Sequence, residues 1–129
     1  MSMVQVVNAI IIKDGKILLI KRSNYTSAFP NMWACPGGRA AKDETPEQAV
    51  AREVKEELNI YFKPNKLFKT GKYQDRELFR FLGKWSGEIK IQKEEIIEYD
   101  WFTYKDAIKL ELGFDYREVV EMWHKEKII

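Results

Sequence analysis

The stretch "GGRAAKDETPEQAVAREVKEELNI", residues 37–60, contains a clearly marked helix start followed by a dense group of carboxylates. Thr45 is followed by Pro46 and, three residues after the threonine, by Gln48. These residues are typical of an N-cap, a first-turn proline and a capping-box partner, in that order. The stretch therefore predicts a helix over about residues 45–58.

On a helical wheel with about 100° per residue, two sets of side chains of this helix fall on different arcs. The apolar set, which predicts the face toward the core, is Val50, Val54 and Leu58. The acidic set, on a neighbouring arc, is Glu53, Glu56 and Glu57. Like charges at these spacings repel by a few tenths of a kcal/mol per pair. Such a patch is either a solvated helix face or a surface that receives a positive partner.

Outside this helix, runs of apolar or alternating residues predict strands or extended segments. These runs are residues 4–12, 16–22, 33–35, 66–73, 77–85 and 94–102. The Asp14-Gly15 pair predicts a tight turn that joins the first two runs as an antiparallel hairpin. Residues 23–32 follow neither the helical nor the strand periodicity of apolar residues, and a loop is expected there.

A second helix is predicted after Gly113. Asp115 and Glu118 have the spacing of another capping box. The apolar stripe expected on this helix is Phe114, Val119, Met122 and Trp123. Strands grouped before and after a helix indicate an α/β or α+β sandwich with a mixed sheet flanked by helices.

Length and composition restrict the class of protein. A chain of 129 residues with a formal charge of +2 fits one domain and gives no DNA-binding signal. Its one cysteine, Cys35, excludes an internal disulfide, and the N-terminus lacks the pattern of a signal peptide. We find no apolar run near the roughly 20 residues of a membrane helix. A cytoplasmic protein is expected, with a homodimer left open.

The residues around the acidic patch resemble the signature of the Nudix hydrolases, the family that includes the MutT-type nucleotide pyrophosphatases. The matching positions are Gly38, Glu44, Arg52, Glu53, Glu56, Glu57 and Ile60. Asn59 stands where the family usually has glycine, but asparagine tolerates the left-handed conformation just beyond a helix end. The resemblance implies a Nudix-type α/β/α sandwich over residues 1–129, with residues 45–58 as the catalytic helix.

The same resemblance implies a divalent-metal site, with Mg²⁺ or Mn²⁺ as the cofactor. Clustered carboxylates without imidazole or thiol neighbours are the hard oxygen ligands that these ions prefer. In the family, such ions are bound by carboxylates and a glycine carbonyl at the positions of Glu53, Glu56, Glu57 and Gly38. The residues matching Arg52 and Glu44 brace the array.

The resemblance further implies that water attacks a phosphorus atom of a diphosphate linkage. The general base is expected to be Glu53 or a glutamate outside the signature, for which Glu98 is chosen, with Glu94 and Glu95 as rivals. Glu98 is also the expected distal metal ligand. Solvated surface positions remain the alternative for these outer glutamates.

Substrate contacts are predicted on other parts of the chain. By resemblance, Arg22 at the end of a strand is a candidate for binding phosphates. Phe29, Trp33 and Phe79 are candidates for stacking on a base, although most aromatic residues of such a chain belong to the core.

The intact set of carboxylates favours an enzyme over a nucleotide-sensing domain of the same fold, since a sensor has no need to activate water. A nucleoside triphosphate is the leading substrate. A nucleotide sugar of the GDP-mannose type is the alternative, because "WACPGGRAAKDET" resembles the corresponding stretch of those hydrolases. Their degraded glutamate set counts against this alternative.

Overall fold

A computed structural model describes residues 3–25 and 29–129. The predicted loop at 23–32 therefore lies partly outside the described residues, at 26–28. The strands are β1 (Val4–Ile10), β2 (Ile12–Lys13), β3 (Lys16–Arg22), β4 (Trp33–Ala34), β5 (Gly37–Arg39), β6 (Tyr61–Tyr73), β7 (Arg76–Ser86) and β8 (Ile96–Phe102). The helices are α1 (Pro46–Leu58), α2 (Tyr104–Ala107) and α3 (Tyr116–Lys125).

The chain divides into two units, and the first comprises residues 1–11 and 36–90. Its described part holds a mixed sheet in the order β5-β1-β7-β6, in which only β1 and β7 run parallel. Helix α1 packs on β1, β5 and β6 of this sheet. Val50, Val54 and Leu58 on the helix are fully buried, as the sequence predicts. The helix is thereby fixed beside β5, the strand that carries Gly37 and Gly38.

The second unit comprises residues 12–35 and 91–129. In its sheet, β3 pairs with β2, β4 and β8, each time antiparallel. Helices α2 and α3 belong to the same unit and contact each other. The predicted α/β (α+β) class, with a mixed sheet and helices, is confirmed.

The predicted hairpin of 4–12 with 16–22 is only partly correct. The turn at Asp14-Gly15 forms, with φ angles of 53° and 74°, but it joins only the short β2 to β3. The first apolar run is interrupted at Ile11, which divides it into β1 and β2. Strand β1 pairs with β5 and β7 rather than with β3. Strand pairing is decided by distant residues, and an apolar run carries no local mark of its partner.

Strand β6 begins at Tyr61, five residues before the predicted start of 66. The added residues include Pro64, which the sequence pattern disfavours in a strand. Because β6 is the edge strand of its sheet, a residue without an N–H group is tolerated there. Register shifts beside Pro64 and Leu67 show that the strand accommodates two irregularities.

Helix α3 confirms the second predicted helix and begins where the sequence predicts, but the expected side-chain capping bond of Asp115 does not form. Asp115 is the N-cap residue and makes no side-chain capping bond, because its φ and ψ of −104° and 16° are not the extended values that capping requires. Val119 and Trp123 are buried, whereas Met122 is 36% exposed and does not belong to the buried stripe. The short helix α2, capped by Thr103, was not predicted. None of the helices in the described ranges has the length and apolar character needed to cross a membrane.

Candidate active site

Local capping sets the position of helix α1. The Gln48 N–H donates to Thr45 Oγ1 at 3.2 Å, and the Thr45 N–H donates to Gln48 Oε1 at 3.0 Å. At the other end Asn59 is left-handed, with φ 59° and ψ 28°, and its N–H donates to the Lys55 carbonyl. The predicted boundaries of this helix are confirmed, so the rotational position of every carboxylate on it is fixed.

The three glutamates of the acidic patch lie at different depths. The side chain of Glu56 is 58% exposed and that of Glu53 is 16% exposed. Glu57 is only 4% exposed. A carboxylate buried to this degree requires a compensating hydrogen bond or charge.

Arg52 connects the patch to the segment that precedes the helix. Its Nε and Nη2 donate to the two oxygens of Glu44 at 2.7 and 2.8 Å, which is a bidentate pair. Its Nη1 lies 3.1 Å from Glu53 Oε1 and 3.2 Å from both oxygens of Glu56. Its Nη2 also donates to the Arg39 carbonyl at 3.1 Å. One guanidinium therefore contacts three carboxylates and the end of β5.

These contacts shift the ionisation of both partners. The hydrogen bonds from Arg52, helped by the Ala41 N–H, lower the pKa of Glu44 to about 2. The bonds to Glu44 in turn raise the pKa of Arg52 above its ordinary value. Both groups are therefore charged throughout the physiological range.

The Gly37-Gly38 pair brings β5 against the helix carboxylates. The Gly37 N–H donates to Glu57 Oε1 at 2.7 Å. A side chain at Gly37 would start 1.9 Å from the Val7 carbonyl oxygen, and its φ of 151° is rare for other residues. A Cβ at Gly38 would lie 2.5 Å from Glu53 Oε2. Glycine at position 38 therefore lets β5 approach the Glu53 carboxylate closely, and glycine at position 37 lets β5 pack closely on β1.

The donor set fits a hard divalent cation. It offers three carboxylates, and Glu53 lies against Gly38 where a side chain would intrude. Among residues 3–25 and 29–129, no three acidic, imidazole or thiol groups stand together as a ready-made ligand set. In this arrangement Arg52 contacts Glu53 and Glu56, while the Gly37 N–H contacts Glu57.

The outer candidates belong to the second unit. Lys21 on β3 is paired with Trp33 on β4 and with Glu98 on β8, and Arg22 follows it. Glu98 is exposed, while Arg22 and Trp33 are half-buried. Their roles in binding or catalysis stay predictions.

The rival glutamates contribute backbone rather than side-chain contacts to the start of β8. The Glu94 carbonyl accepts a hydrogen bond from Ser23 Oγ at 2.9 Å, and the Glu95 carbonyl accepts one from the Ser23 N–H at 2.9 Å. Both side chains are exposed. Their candidacy as a base therefore rests on the sequence resemblance.

The aromatic candidates are distributed over both units. Phe29 packs on Phe114 with ring centroids 4.5 Å apart, and Trp33 and Phe102 form a T-shaped pair with centroids 4.9 Å apart. Phe79 on β7 is half-buried in the first unit. Base stacking by any of them stays a prediction.

Two polar residues near Gly37 were not predicted as part of the site. Asn8 in β1 is 3% exposed, and Arg80 in β7 is fully buried. Arg80 Nη1 donates to Asn8 Oδ1, and Asn8 Nδ2 donates to the Pro36 carbonyl at 3.3 Å. The sequence did contain a feature that could have identified them, because Asn8 and Arg80 are each a polar residue within an otherwise apolar strand pattern.

Comparison with known proteins agrees with this geometry. The NUDIX domain family model matches residues 3–123. An ADP-ribose pyrophosphatase of Methanocaldococcus jannaschii is 34% identical over 128 residues, which cover 94% of this chain and 73% of that protein. A CTP pyrophosphohydrolase of Escherichia coli is 45% identical over 60 residues, 46% of this chain and 44% of that protein. The matched segment thus covers less than half of the latter's length.

A solved structure extends the likeness to three dimensions. The crystal structure of MutT NUDIX hydrolase from Burkholderia pseudomallei has a TM-score of 0.81 and 29% identity, covering 91% of this chain and 95% of that one. Nudix hydrolases generally use divalent metal ions. The chain belongs to the Nudix hydrolase family.

Proposed function

We propose that residues 1–129 act as one Nudix domain that hydrolyses the diphosphate linkage of a nucleoside diphosphate derivative, with Mg²⁺ or Mn²⁺ as the cofactor. The observation that carries the proposal is the joining of Glu44, Glu53 and Glu56 by Arg52 beside the Gly37-Gly38 strand. Four glutamates and an arginine on one helix and its preceding segment provide a fixed anionic surface. A metal ion there would neutralise phosphate oxygens and lower the pKa of an attacking water.

Different residues of the array have different roles in the proposed reaction. Glu53, Glu56 and Glu57, with the Gly38 carbonyl, would hold the ion. Arg52 would orient Glu53 and Glu56, because its fork contacts both and is itself anchored by Glu44. The anchoring carboxylate lies outside the ligand set, so its contact with Arg52 need not break when the ion binds.

The proton of the attacking water must go to a carboxylate. Glu53 is one candidate, because it lies against Gly38 inside the array. Glu98 is the other, because it is exposed and makes no ion pair with any described residue. A base in the proposed reaction is expected to act at hydrogen-bond reach of that water.

For the substrate, we propose a nucleoside triphosphate cleaved to a nucleoside monophosphate and pyrophosphate. The 45% identity over 60 residues with the CTP pyrophosphohydrolase supports this choice. ADP-ribose is the second candidate, supported by a match over 94% of the chain to the M. jannaschii enzyme. It replaces GDP-mannose as the nucleotide sugar that we favour.

The test is a product assay on a panel of the four ribonucleoside triphosphates, ADP-ribose and GDP-mannose with Mg²⁺, resolved by ion-exchange chromatography. Pyrophosphate with a nucleoside monophosphate supports the triphosphate proposal, and AMP with ribose 5-phosphate supports ADP-ribose. E57Q should lower turnover at least about 100-fold, because even indirect contacts to a metal are worth 10- to 100-fold. E47Q, which changes an exposed glutamate of the same helix, is the matched control. Equal activity of the two variants would contradict the assigned array.

A further inference from the structure

A row of buried residues crosses the first sheet beside the candidate active site. Gly37 on β5 is in register with Asn8 on β1, and Asn8 is in register with Arg80 on β7. Asn8 is 3% exposed and Arg80 is fully buried. A buried guanidinium is costly unless its donors are used, so its position in the middle of a sheet requires an explanation.

The contacts along this row have a direction. Arg80 Nη1 donates to Asn8 Oδ1, and a guanidinium has only donors. The oxygen of the Asn8 amide must therefore face Arg80, which turns Nδ2 toward the Pro36 carbonyl at 3.3 Å. The same carbonyl accepts the Ala9 N–H at 2.8 Å. Arg80 thus determines which end of the Asn8 amide meets Pro36.

The Pro36 carbonyl and the Gly37 N–H belong to one planar peptide unit. Asn8 and Ala9 hold its oxygen, and its N–H donates to Glu57 Oε1 at 2.7 Å. A rotation of this peptide would turn the N–H away from Glu57. A hydrogen-bond chain therefore runs from Arg80 through Asn8 and one peptide to the buried carboxylate.

We propose that Asn8 and Arg80 are positioning residues that fix the Pro36-Gly37 peptide and, through it, the Glu57 carboxylate. The proposal rests on the proposed function, in which Glu57 is a metal ligand. It assigns the buried arginine a task beyond filling the core. Partners that orient a metal ligand affect affinity for the metal even though they never touch it.

The decisive variant is N8D. Aspartate keeps an acceptor for Arg80 and adds an opposite charge, but it has no N–H for the Pro36 carbonyl. If Asn8 only accommodates the buried arginine, N8D should match or exceed the wild type in stability and in every active-site measurement. If Asn8 positions the peptide, N8D should stay folded and lose the ordered contact at Glu57. N65D, which introduces the same charge at an exposed asparagine of β6, is the control.

Three measurements are made on each variant and on the wild type, all comprising residues 1–129. Hydrogen exchange of the Gly37 amide reports the bond to Glu57 directly, and we expect at least 10-fold faster exchange in N8D. Binding of Mn²⁺, followed by its electron spin resonance signal without substrate, should weaken about 10- to 100-fold. Steady-state kinetics should show that kcat falls more than KM rises. N65D should match the wild type in all three.

R80K is the second variant, in case N8D does not fold. It keeps the positive charge but loses the planar fork, and we expect the same direction of change at Gly37. Wild-type exchange at Gly37 together with wild-type Mn²⁺ affinity in a folded variant would overturn the positioning proposal. If the wild type itself bound no Mn²⁺ and hydrolysed nothing, the proposed function would fail. The Gly37 exchange rates would still decide whether Asn8 and Arg80 fix the peptide.

Discussion

At the scale of single residues, Arg52 organises the acidic patch. Like charges on neighbouring helix turns repel, and Arg52 offsets this by contacting Glu53 and Glu56. Its geometry is held by the bidentate pair with Glu44, which lies before the helix. The result is a set of carboxylates whose orientation is fixed by one cation.

The Glu44–Arg52 pair predicts a pH dependence of stability. The pKa of Glu44 is lowered from 4.5 to about 2, so the pair stabilises the folded state above pH 4.5. This contribution is lost as the pH falls through the range from 4.5 to about 2, where the carboxylate takes up a proton. E44Q should therefore be less stable than the wild type at pH 7, and the difference should shrink as the pH approaches 2.

Urea unfolding midpoints measured between pH 7 and pH 2.5 check this prediction. E47Q serves as the control, because Glu47 makes no ion pair with any described residue. A gap between wild type and E44Q that stayed constant over the whole range would show that the pair does not act through its charge.

The identity of the general base is a second prediction at this scale. If Glu98 is the base, E98Q should lower the maximal rate roughly 10²- to 10⁴-fold and flatten the acidic limb of the pH–rate profile. D100N, two residues further along β8, changes an acidic side chain on the same strand face and should leave the profile intact. An unchanged profile in E98Q would assign the role to Glu53 or to the rivals Glu94 and Glu95.

At the scale of elements, local chemistry determines helix α1 more fully than any strand. The bonds between Thr45 and Gln48 and the left-handed Asn59 involve residues close together in the chain, so the sequence alone predicts both helix ends. The partner of β1 is not marked in this way. Its parallel neighbour β7 lies about 70 residues later in the chain. An apolar run is compatible with a central strand beside any partner, so it does not indicate which strand is the neighbour.

The same contrast applies to the candidate site. The spacing of Glu53, Glu56 and Glu57 on a helix predicts that they lie together, since helical geometry is regular. The contacts of Asn8 with Pro36 and Arg80 depend on which strands are neighbours. The sequence pattern does not indicate which strands are neighbours, so it cannot predict these contacts.

The end of helix α1 gives a prediction at the element scale. Asn59 has φ 59°, a conformation that costs an ordinary L-residue roughly 1–2 kcal/mol but costs glycine nothing. N59A should lower the free energy of unfolding by about 1 kcal/mol, whereas N59G should stay near the wild type. Thermal and urea unfolding of the pair measure the difference. Equal losses in both would indicate that the asparagine side chain, rather than the backbone conformation, stabilises the helix end.

At the scale of the whole molecule, the net charge of +2 conceals an uneven distribution. Glu57 and Glu53 of helix α1 lie against Gly37 and Gly38, Glu56 joins them through Arg52, and Arg52 offsets only part of the charge of these three carboxylates. A divalent cation bound there would lower the free energy of the native chain. An unfolded chain, in which these glutamates are not held together, would bind the ion weakly.

This difference predicts that divalent metal raises the melting temperature. A ligand that binds only the native state at 100 times its Kd adds about 2.7 kcal/mol, a shift on the order of 10 °C for a chain of this size. Melting curves should be recorded by circular dichroism in Mg²⁺, in Mn²⁺ and in NaCl of matched ionic strength, because salt screening alone reduces carboxylate repulsion. E57Q should lose most of the metal-specific shift, since glutamine can still accept the Gly37 N–H but carries no charge, and E47Q should keep it. If the wild-type melting temperature responded to NaCl as strongly as to Mg²⁺, the shift would come from salt screening of the carboxylates. The metal site at Glu57 would then have no support from this measurement.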